Sequence, residues 1–215
     1  LATAARAAGQ LRADLIAGLA AAVSDKGYAA STIADIVAHA RVSKRTFYEH
    51  FADKEECLMA LYADACDGLM AVLRSAGSPD QPWRERVQVA VAAYLSTLES
   101  LPAVTRALLV ETQAAGPRAY RLRQEKLRQF AETLVAIVEE GRPANPEIRA
   151  LSPAMAIALV GGLNELLLQA VDPYAGGSAD APGAAGPGAL NDTVVHLVSA
   201  VLSYPHPGGG PAPAG

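Results

Sequence analysis

Apolar residues recur along this chain at helical spacing and almost nowhere in strict alternation. Leu11, Leu15, Leu19 and Val23, with Ile16 alongside, form the stripe of a first helix over about Thr3 to Lys26. Gly27 suits the position just past its end. Ile33, Ile36, Val37 and Ala40 then share one face of a short second helix. Thr32 can cap it, and Asp35, three residues on, can complete a capping box. Arg41 and Val42 break the pattern, and Ser43 can cap a third helix of about two turns. A helix that short is marginal alone and depends on packing; Phe47 and Phe51, four apart, supply the anchor. Asp53, with Glu56 as its box partner, opens a longer helix through Leu58, Leu61, Tyr62, Leu69 and Val72 that stops at Gly77-Ser78-Pro79.

Proline and glycine punctuate the rest. Helices are expected from about Pro82 to Ser100, from Pro102 to Gly116-Pro117, and from Pro117 to Glu140 before Gly141. Ser152-Pro153 opens a very apolar helix, AMAIALVGGLNELLLQAV, that ends before Pro173. Residues 173–189 are rich in Gly, Pro and Ala and read as a mobile loop. A last helix, about Asn191 to Ser203, places Val194, Leu197, Val198 and Val201 on one face. The tail from Pro205 has a disordered composition. The expected fold is all-α with about nine helices. Its parts are a three-helix head over 1–54, a helical body over 55–204 whose first helix, 55–76, is the link, and a disordered tail over 205–215.

Composition changes this picture little. Half the residues are apolar (51%), which is ample for a core. The two cysteines, Cys57 and Cys66, fall on one helix and cannot bridge along it, because nine residues of rise exceed disulfide reach. They read as small half-buried hydrophobes in a reducing cytoplasm, with redox sensing or metal binding as the alternatives. No run approaches the length of a transmembrane helix, and the visible start carries no secretory signal pattern. The net charge of −4 argues against nucleic acid until it is divided. Residues 1–54 hold seven basic and five acidic residues, a net of +2, leaving −6 for the remainder. A mildly basic head on an acidic body suits a protein that touches DNA at one end.

The chemistry of the head sharpens that expectation. Helix, short turn and short polar helix make the helix-turn-helix arrangement, whose second helix enters the major groove N-terminus first. Lys44 and Arg45 sit at that leading end, where Arg can make a bidentate contact to guanine. Ser43, Thr46, Tyr48 and His50 are hydrogen-bonding groups of the kind that position a protein on phosphates. The Thr32 hydroxyl can meet a phosphate besides capping its helix. Lys54, in the first turn of the next helix, stands beside exposed backbone N–H groups suited to an anion. Thr32, Ser43, Lys44, Arg45, Thr46, Tyr48, His50 and Lys54 are the candidate DNA-binding residues.

The run T-I-x-x-I-V-x-x-A-x-V-S-x-x-T-F-Y-x-H-F-x-D-K-E, from Thr32 to Glu55, resembles the N-terminal domain of tetracycline-repressor (TetR) family transcriptional regulators, and the match extends upstream through Gly27-Tyr28. One position departs from the family pattern. Arg41 stands where a glycine is usual, and a positive φ there would cost a non-glycine residue roughly 1 kcal/mol.

The resemblance implies a homodimeric regulator that binds a pseudo-palindromic operator, a repressor released when a small effector enters an apolar cavity of the body. It also implies that helices 152–172 and 191–203 form a four-helix bundle with their copies. Gly161-Gly162 within so apolar a helix would let another helix approach closely. Polar and aromatic residues inside otherwise apolar helices are the candidates for lining the cavity: Tyr94, Thr97, Thr105, Glu111, Thr112, Tyr120, Phe130 and Asn164. Asn164 and Glu165 could equally bond across the dimer seam, and Trp83 is either a core anchor or a cavity wall. The expected partners are double-stranded DNA, an unidentified small molecule and a second copy of the chain. No cofactor, metal or membrane is expected, and the location is cytoplasmic. No H-E-x-x-H, G-x-S-x-G or Gly-rich phosphate loop points to an enzyme. The rival reading is a helical small-molecule- or protein-binding dimer with a vestigial DNA head.

Overall fold

A computed structural model describes residues 2–78, 81–114, 116–171 and 186–203. Among the described residues are nine α-helices and no strand. They are α1 (Ala2–Ala30), α2 (Ile33–Ala40), α3 (Lys44–His50), α4 (Lys54–Ser75), α5 (Trp83–Glu99), α6 (Pro102–Ala114), α7 (Gly116–Gly141), α8 (Pro153–Val171) and α9 (Asn191–Ser203).

The head is α1, α2 and α3 closed by the start of α4. Regular helix in α1 gives way at Gly27, which adopts φ 77° and ψ 161°, a region glycine enters at little cost. The Ser31 hydroxyl donates back to the Gly27 carbonyl at 2.7 Å. The capping box of α2 is complete: Asp35 N–H donates to Thr32 Oγ1 at 3.3 Å, and Thr32 N–H donates to Asp35 Oδ2 at 2.8 Å. Asp53 caps α4 through Glu56 N–H at 2.7 Å, and Glu56 returns to Ala52 N–H at 2.7 Å. Gly18 brings α1 against α2 so closely that a Cβ there would lie 2.5 Å from the Ile36 carbonyl oxygen. Leu15, Leu19, Val23, Ile36, Phe47 and Leu58 meet at the centre with no accessible surface. Each such burial contributes roughly 1.5–3 kcal/mol.

The long helix α4 leaves this centre and packs on α5, α6 and α7, while α7 packs on α8 and α5 on α9. One apolar cluster runs from Leu15 and Phe47 through Leu58 and Met70 to Leu95, Leu167 and Val194, so head and body share a continuous core through α4. A smaller cluster of Trp83, Ile148 and Leu202 closes the far end of the body.

Two expectations change. Part of the stretch expected to be a mobile loop, 173–189, is ordered: Pro187–Leu190 is a 3₁₀ turn with Pro187 and Leu190 buried and the Gly188 N–H donating to Glu99 Oε1 at 2.8 Å. The remainder of that loop, 173–185, and the tail over 205–215 lie outside the described residues. Second, α8 is long and apolar enough by length and composition to cross a membrane, 19 residues with a best-window mean hydropathy of 1.6. It packs on α6 and α7 by one face. Among the described residues nothing lies within 4 Å of a Cβ placed on Gly161 or Gly162.

Candidate nucleic-acid interface and internal cavity

The turn between α2 and α3 is set by Arg41, which adopts the left-handed conformation, φ 55° and ψ 39°. It is the one non-glycine residue at positive φ among the described residues. Its N–H and that of Val42 fold back onto the carbonyls of Ala38 and Val37, which ends α2 abruptly. Ser43 then caps α3, accepting from Thr46 N–H at 3.0 Å, and the two hydroxyls lie 2.9 Å apart. Phe47 drives the inner face of α3 into the head core, with the Phe51 ring 5.7 Å away. That orientation forces Lys44, Arg45 and Tyr48 outward. The Arg45 side chain is 90% exposed and meets only Glu49, at 3.1 Å. Tyr48 is 59% exposed, its ring edge-on to Phe47. Two cations and an exposed phenol thus share the open face of a helix whose leading end is capped and fixed.

The other head candidates are placed differently. Thr32 is exposed and engaged in its capping box; its carboxylate partner Asp35 also pairs with Lys26 at 2.6 Å. The bonds from Lys26 and Thr32 hold the Asp35 carboxyl well below the usual carboxylate range. His50 turns away from the open face into a crevice shared with Arg12, Glu56 and Arg118. Lys54 is committed inward: its ammonium donates to the carbonyls of Tyr28 at 2.9 Å and Ser31 at 2.8 Å, and lies 4.1 Å from the centre of the Tyr28 ring. Desolvation depresses its pKa, with Glu111 acting in the opposite direction. Lys54 therefore ties the end of α1 to the start of α4.

In the body, α4, α5, α6, α7, α8 and α9 surround a cavity of about 580 Å³. It runs beside α4 from Leu61 to Ala76 just past the helix end, fifteen residue steps or about 22 Å. Five of the eight predicted lining residues reach it: Tyr94, Thr97, Thr105, Phe130 and Asn164. Thr97 and Thr105 have their hydroxyls occupied, on the carbonyls of Ala93 and Leu98 at 2.7 Å each. Three do not line it. The Glu111 carboxylate acts on Lys54 and Tyr28 at the head. Thr112 is buried with its hydroxyl on the Leu108 carbonyl of its own helix. Tyr120 is 60% exposed on the outer face of α7. Trp83 resolves as both alternatives, a buried anchor of the small cluster and a wall of the cavity.

Sequence reasoning missed Tyr62, Cys66 and Arg86, which also line the cavity. The signal for Arg86 was present: it falls on the same helical stripe as Trp83, Ala90 and Tyr94. Burial raises the Tyr62 and Tyr94 hydroxyls above the ordinary tyrosine range and pushes the Cys66 thiol up to about 11, so all three are neutral at neutral pH. Both cysteines are free and buried. Among the described residues no three His, Cys, Asp or Glu side chains gather closely enough to hold a metal ion.

Polar bonds tie the cavity wall to the link helix. Lys126 on α7, nearly buried, pairs with Asp67 on α4 at 2.5 Å. Arg74 on α4 donates to Thr133 Oγ1 on α7 at 2.9 Å. Closer to the head, Arg118 on α7 reaches Glu56 on α4 at 3.9 Å.

Residues 15–61 match the family model described as bacterial regulatory proteins, tetR family. The chain is 35% identical over 77 residues to the HTH-type transcriptional regulator YxbF of Bacillus subtilis, and 31% identical over 88 residues to the HTH-type transcriptional activator FasR of Mycolicibacterium smegmatis. These matches cover 36% and 41% of this chain but only 20% and 40% of those proteins' lengths. Solved structures resemble it over nearly the whole fold. A bacterial regulatory protein in the tetR family from Rhodococcus RHA1 superposes with TM-score 0.60 at 18% identity, covering 91% of this chain and 98% of its own. The regulator FadR from Bacillus subtilis, solved in complex with stearoyl-CoA, gives TM-score 0.61 at 17% identity, covering 90% and 98%.

Proposed function

We propose that this chain, whose head belongs to the tetR family of bacterial regulatory proteins, is a dimeric transcriptional regulator of the cytoplasm, released from its DNA operator by a small apolar effector. The observation that carries the reading is α3 itself: a capped, anchored helix with Lys44, Arg45 and Tyr48 presented on one open face. Lys44 and Arg45 contact base edges, while Ser43, Thr46 and Tyr48 fix the register on phosphates. Thr32 and His50 flank that face. Lys54 orders it from behind.

The unpartnered face of α8 supports a homodimer. Ile157 is 55% exposed and Met155 37% exposed on a helix of high hydropathy. A second copy packing α8 and α9 against their equivalents covers that surface and uses the open approach at Gly161 and Gly162. Two heads then read half-sites about one helical turn of DNA apart. The body supplies the switch. An effector that prefers the DNA-incompetent arrangement lowers operator affinity tenfold for each 1.4 kcal/mol of preference. The long apolar cavity takes such a molecule, as the same fold takes stearoyl-CoA in one of its structural neighbours. The operator's position relative to the promoter sets the sign of regulation; overlap with it gives repression.

Selection of genomic fragments with the purified protein tests this reading. The expected result is a pseudo-palindrome whose affinity falls steeply with salt. Replacing Lys44 and Arg45 together by Ala should abolish operator preference and leave the melting temperature and dimer mass unchanged. Sequence-specific binding that survives the double substitution overturns the assignment of α3 as the reading helix.

A further inference from the structure

The cavity wall contains one charged side chain among the described residues, Arg86. Its other polar groups are neutral, and no carboxylate lines it. The Arg86 Nε is buried without a hydrogen-bond partner, and no ion pair among the described residues uses the guanidinium. Arginine keeps its proton in a protein. Only the Nε is fully buried and the residue as a whole is half-buried, so the guanidinium sits at the edge of the apolar wall, where an anion entering the cavity can pair with it.

Its position is as specific as its isolation. Arg86 lies one turn along α5 from Trp83, at the end of the cavity farthest from the head. Gly77 makes room for its stem, since a Cβ there would lie 3.2 Å from Arg86 Cγ, and Gly141 at the end of α7 lies beside its Nη1. From this end the lining runs along α4 to Leu61 and reaches Ala20 of α1, with Leu and Val side chains predominating. A fixed positive charge therefore stands at one end of a long uncharged channel.

We infer that the cavity takes an elongated aliphatic molecule bearing a single carboxylate, the carboxylate paired with Arg86 and the chain laid along α4 toward Tyr62. This rests on the effector reading proposed above and specifies the effector's chemistry. The planar guanidinium fork matches a carboxylate in two parallel hydrogen bonds, which neither an ester nor a thioester can accept with full charge. The apolar wall supplies affinity along the chain, and Arg86 selects which end enters last and what it carries.

Trp83, the sole tryptophan, stands beside Arg86 and reports occupancy by its fluorescence. The full chain is titrated at submicellar concentration with hexadecanoate and with its uncharged methyl ester. We expect hexadecanoate to bind at least about tenfold more tightly than the ester. Arg86→Gln should bring the two within about threefold of each other, with ester affinity unchanged. Arg86→Lys, which keeps the charge and loses the fork, should weaken only the carboxylate and serves if the glutamine variant does not fold. Equal binding of acid and ester to the unaltered chain overturns the carboxylate inference and leaves the apolar-effector reading standing. Binding of neither overturns both. A carboxylate preference that persists undiminished in folded Arg86→Gln and Arg86→Lys variants overturns the role of Arg86.

Discussion

The head and the body use their apolar residues in opposite ways. In the head, Leu15, Leu19, Ile36, Phe47 and Leu58 close on one another with no accessible surface, and the helices that meet there are held by side-chain caps at Thr32, Ser43 and Asp53. In the body, comparable Leu and Val stripes on α4, α5, α7 and α8 stop short of meeting and leave about 580 Å³ between them. Helix α5 begins after Pro82 with no side-chain cap bond at all. In the function proposed above the head presents Lys44 and Arg45 in one geometry, which full packing serves, and the body admits a molecule, for which unfilled space forfeits dispersion contacts the core would otherwise make. The two are joined by α4, whose first turns belong to the tight core and whose last turns line the open one.

The largest effect that sharpens this contrast is removal of the head's central anchor. Phe47→Ala should destabilise the protein by about 3–5 kcal/mol, because the ring is wholly buried in a site with little freedom to collapse. Chemical denaturation measures the loss. Phe130→Ala is the matching substitution at the cavity wall, where the ring already borders open space, and it should cost clearly less. Equal losses would mean that the cavity is as tightly held as the head core and would remove the contrast.

Adding volume tests the same point from the other side. Ala22 in α1 has no accessible surface, so Ala22→Leu should overpack the head at a cost of about 1–3 kcal/mol. Ala90 lines the cavity, so Ala90→Leu should leave stability unchanged or raised while weakening effector binding. Thermal melts of the two variants, run side by side, check it. A large loss at Ala90 would show that the lumen closes in solution.

The difference also explains what the sequence could reveal. The head is specified by neighbours within a few residues of one another: a threonine three before an aspartate, a serine just before two cations, two phenylalanines four apart. Each has a local physical consequence, and each appears in the structure where it was expected. The cavity has no local signature. An apolar stripe facing a void has the same periodicity as one facing a core, so Tyr62 and Cys66 on α4 read as packing residues. Glu111, Thr112 and Tyr120 met the criterion of polarity within an apolar helix, yet their helices are rotated so that they face the head, their own backbone and solvent. Arg86 was legible only as a charge on an apolar stripe, a signal that acquires meaning once α4 and α7 are seen to end beside it.

Lys54 sits where the two regions meet. Its ammonium bonds to the Tyr28 and Ser31 carbonyls make it a clasp between α1 and α4. Lys54→Met should cost about 1.5 kcal/mol, the low end for bonds from a charged donor, since the site is partly open to water. If a phosphate contact dominates instead, stability will hold, operator affinity will fall, and the salt slope will drop by about 1. Denaturation and salt-titrated binding on the same variant separate the two roles.

The smallest expected effect concerns Arg41, where the head departs from its own economy of unstrained turns. At φ 55° and ψ 39° a side chain with a Cβ carries a strain of roughly 1 kcal/mol that glycine would not. Arg41→Gly relieves that strain but gives the unfolded chain more freedom, which offsets about 0.4–1 kcal/mol of the gain. The net stabilisation should therefore be below about 1 kcal/mol, read as a small rise in the denaturation midpoint with an unchanged slope. Arg41 is also exposed beside the leading end of α3 and is one of the seven cations of the head. If its guanidinium reaches the DNA backbone, the same substitution will weaken all duplexes alike and lower the salt dependence while the protein melts slightly later. A strained turn that stabilises nothing in the free protein yet strengthens the complex would then be a binding feature. Unchanged affinity with the predicted stabilisation would make Arg41 a tolerated irregularity in an otherwise locally consistent head.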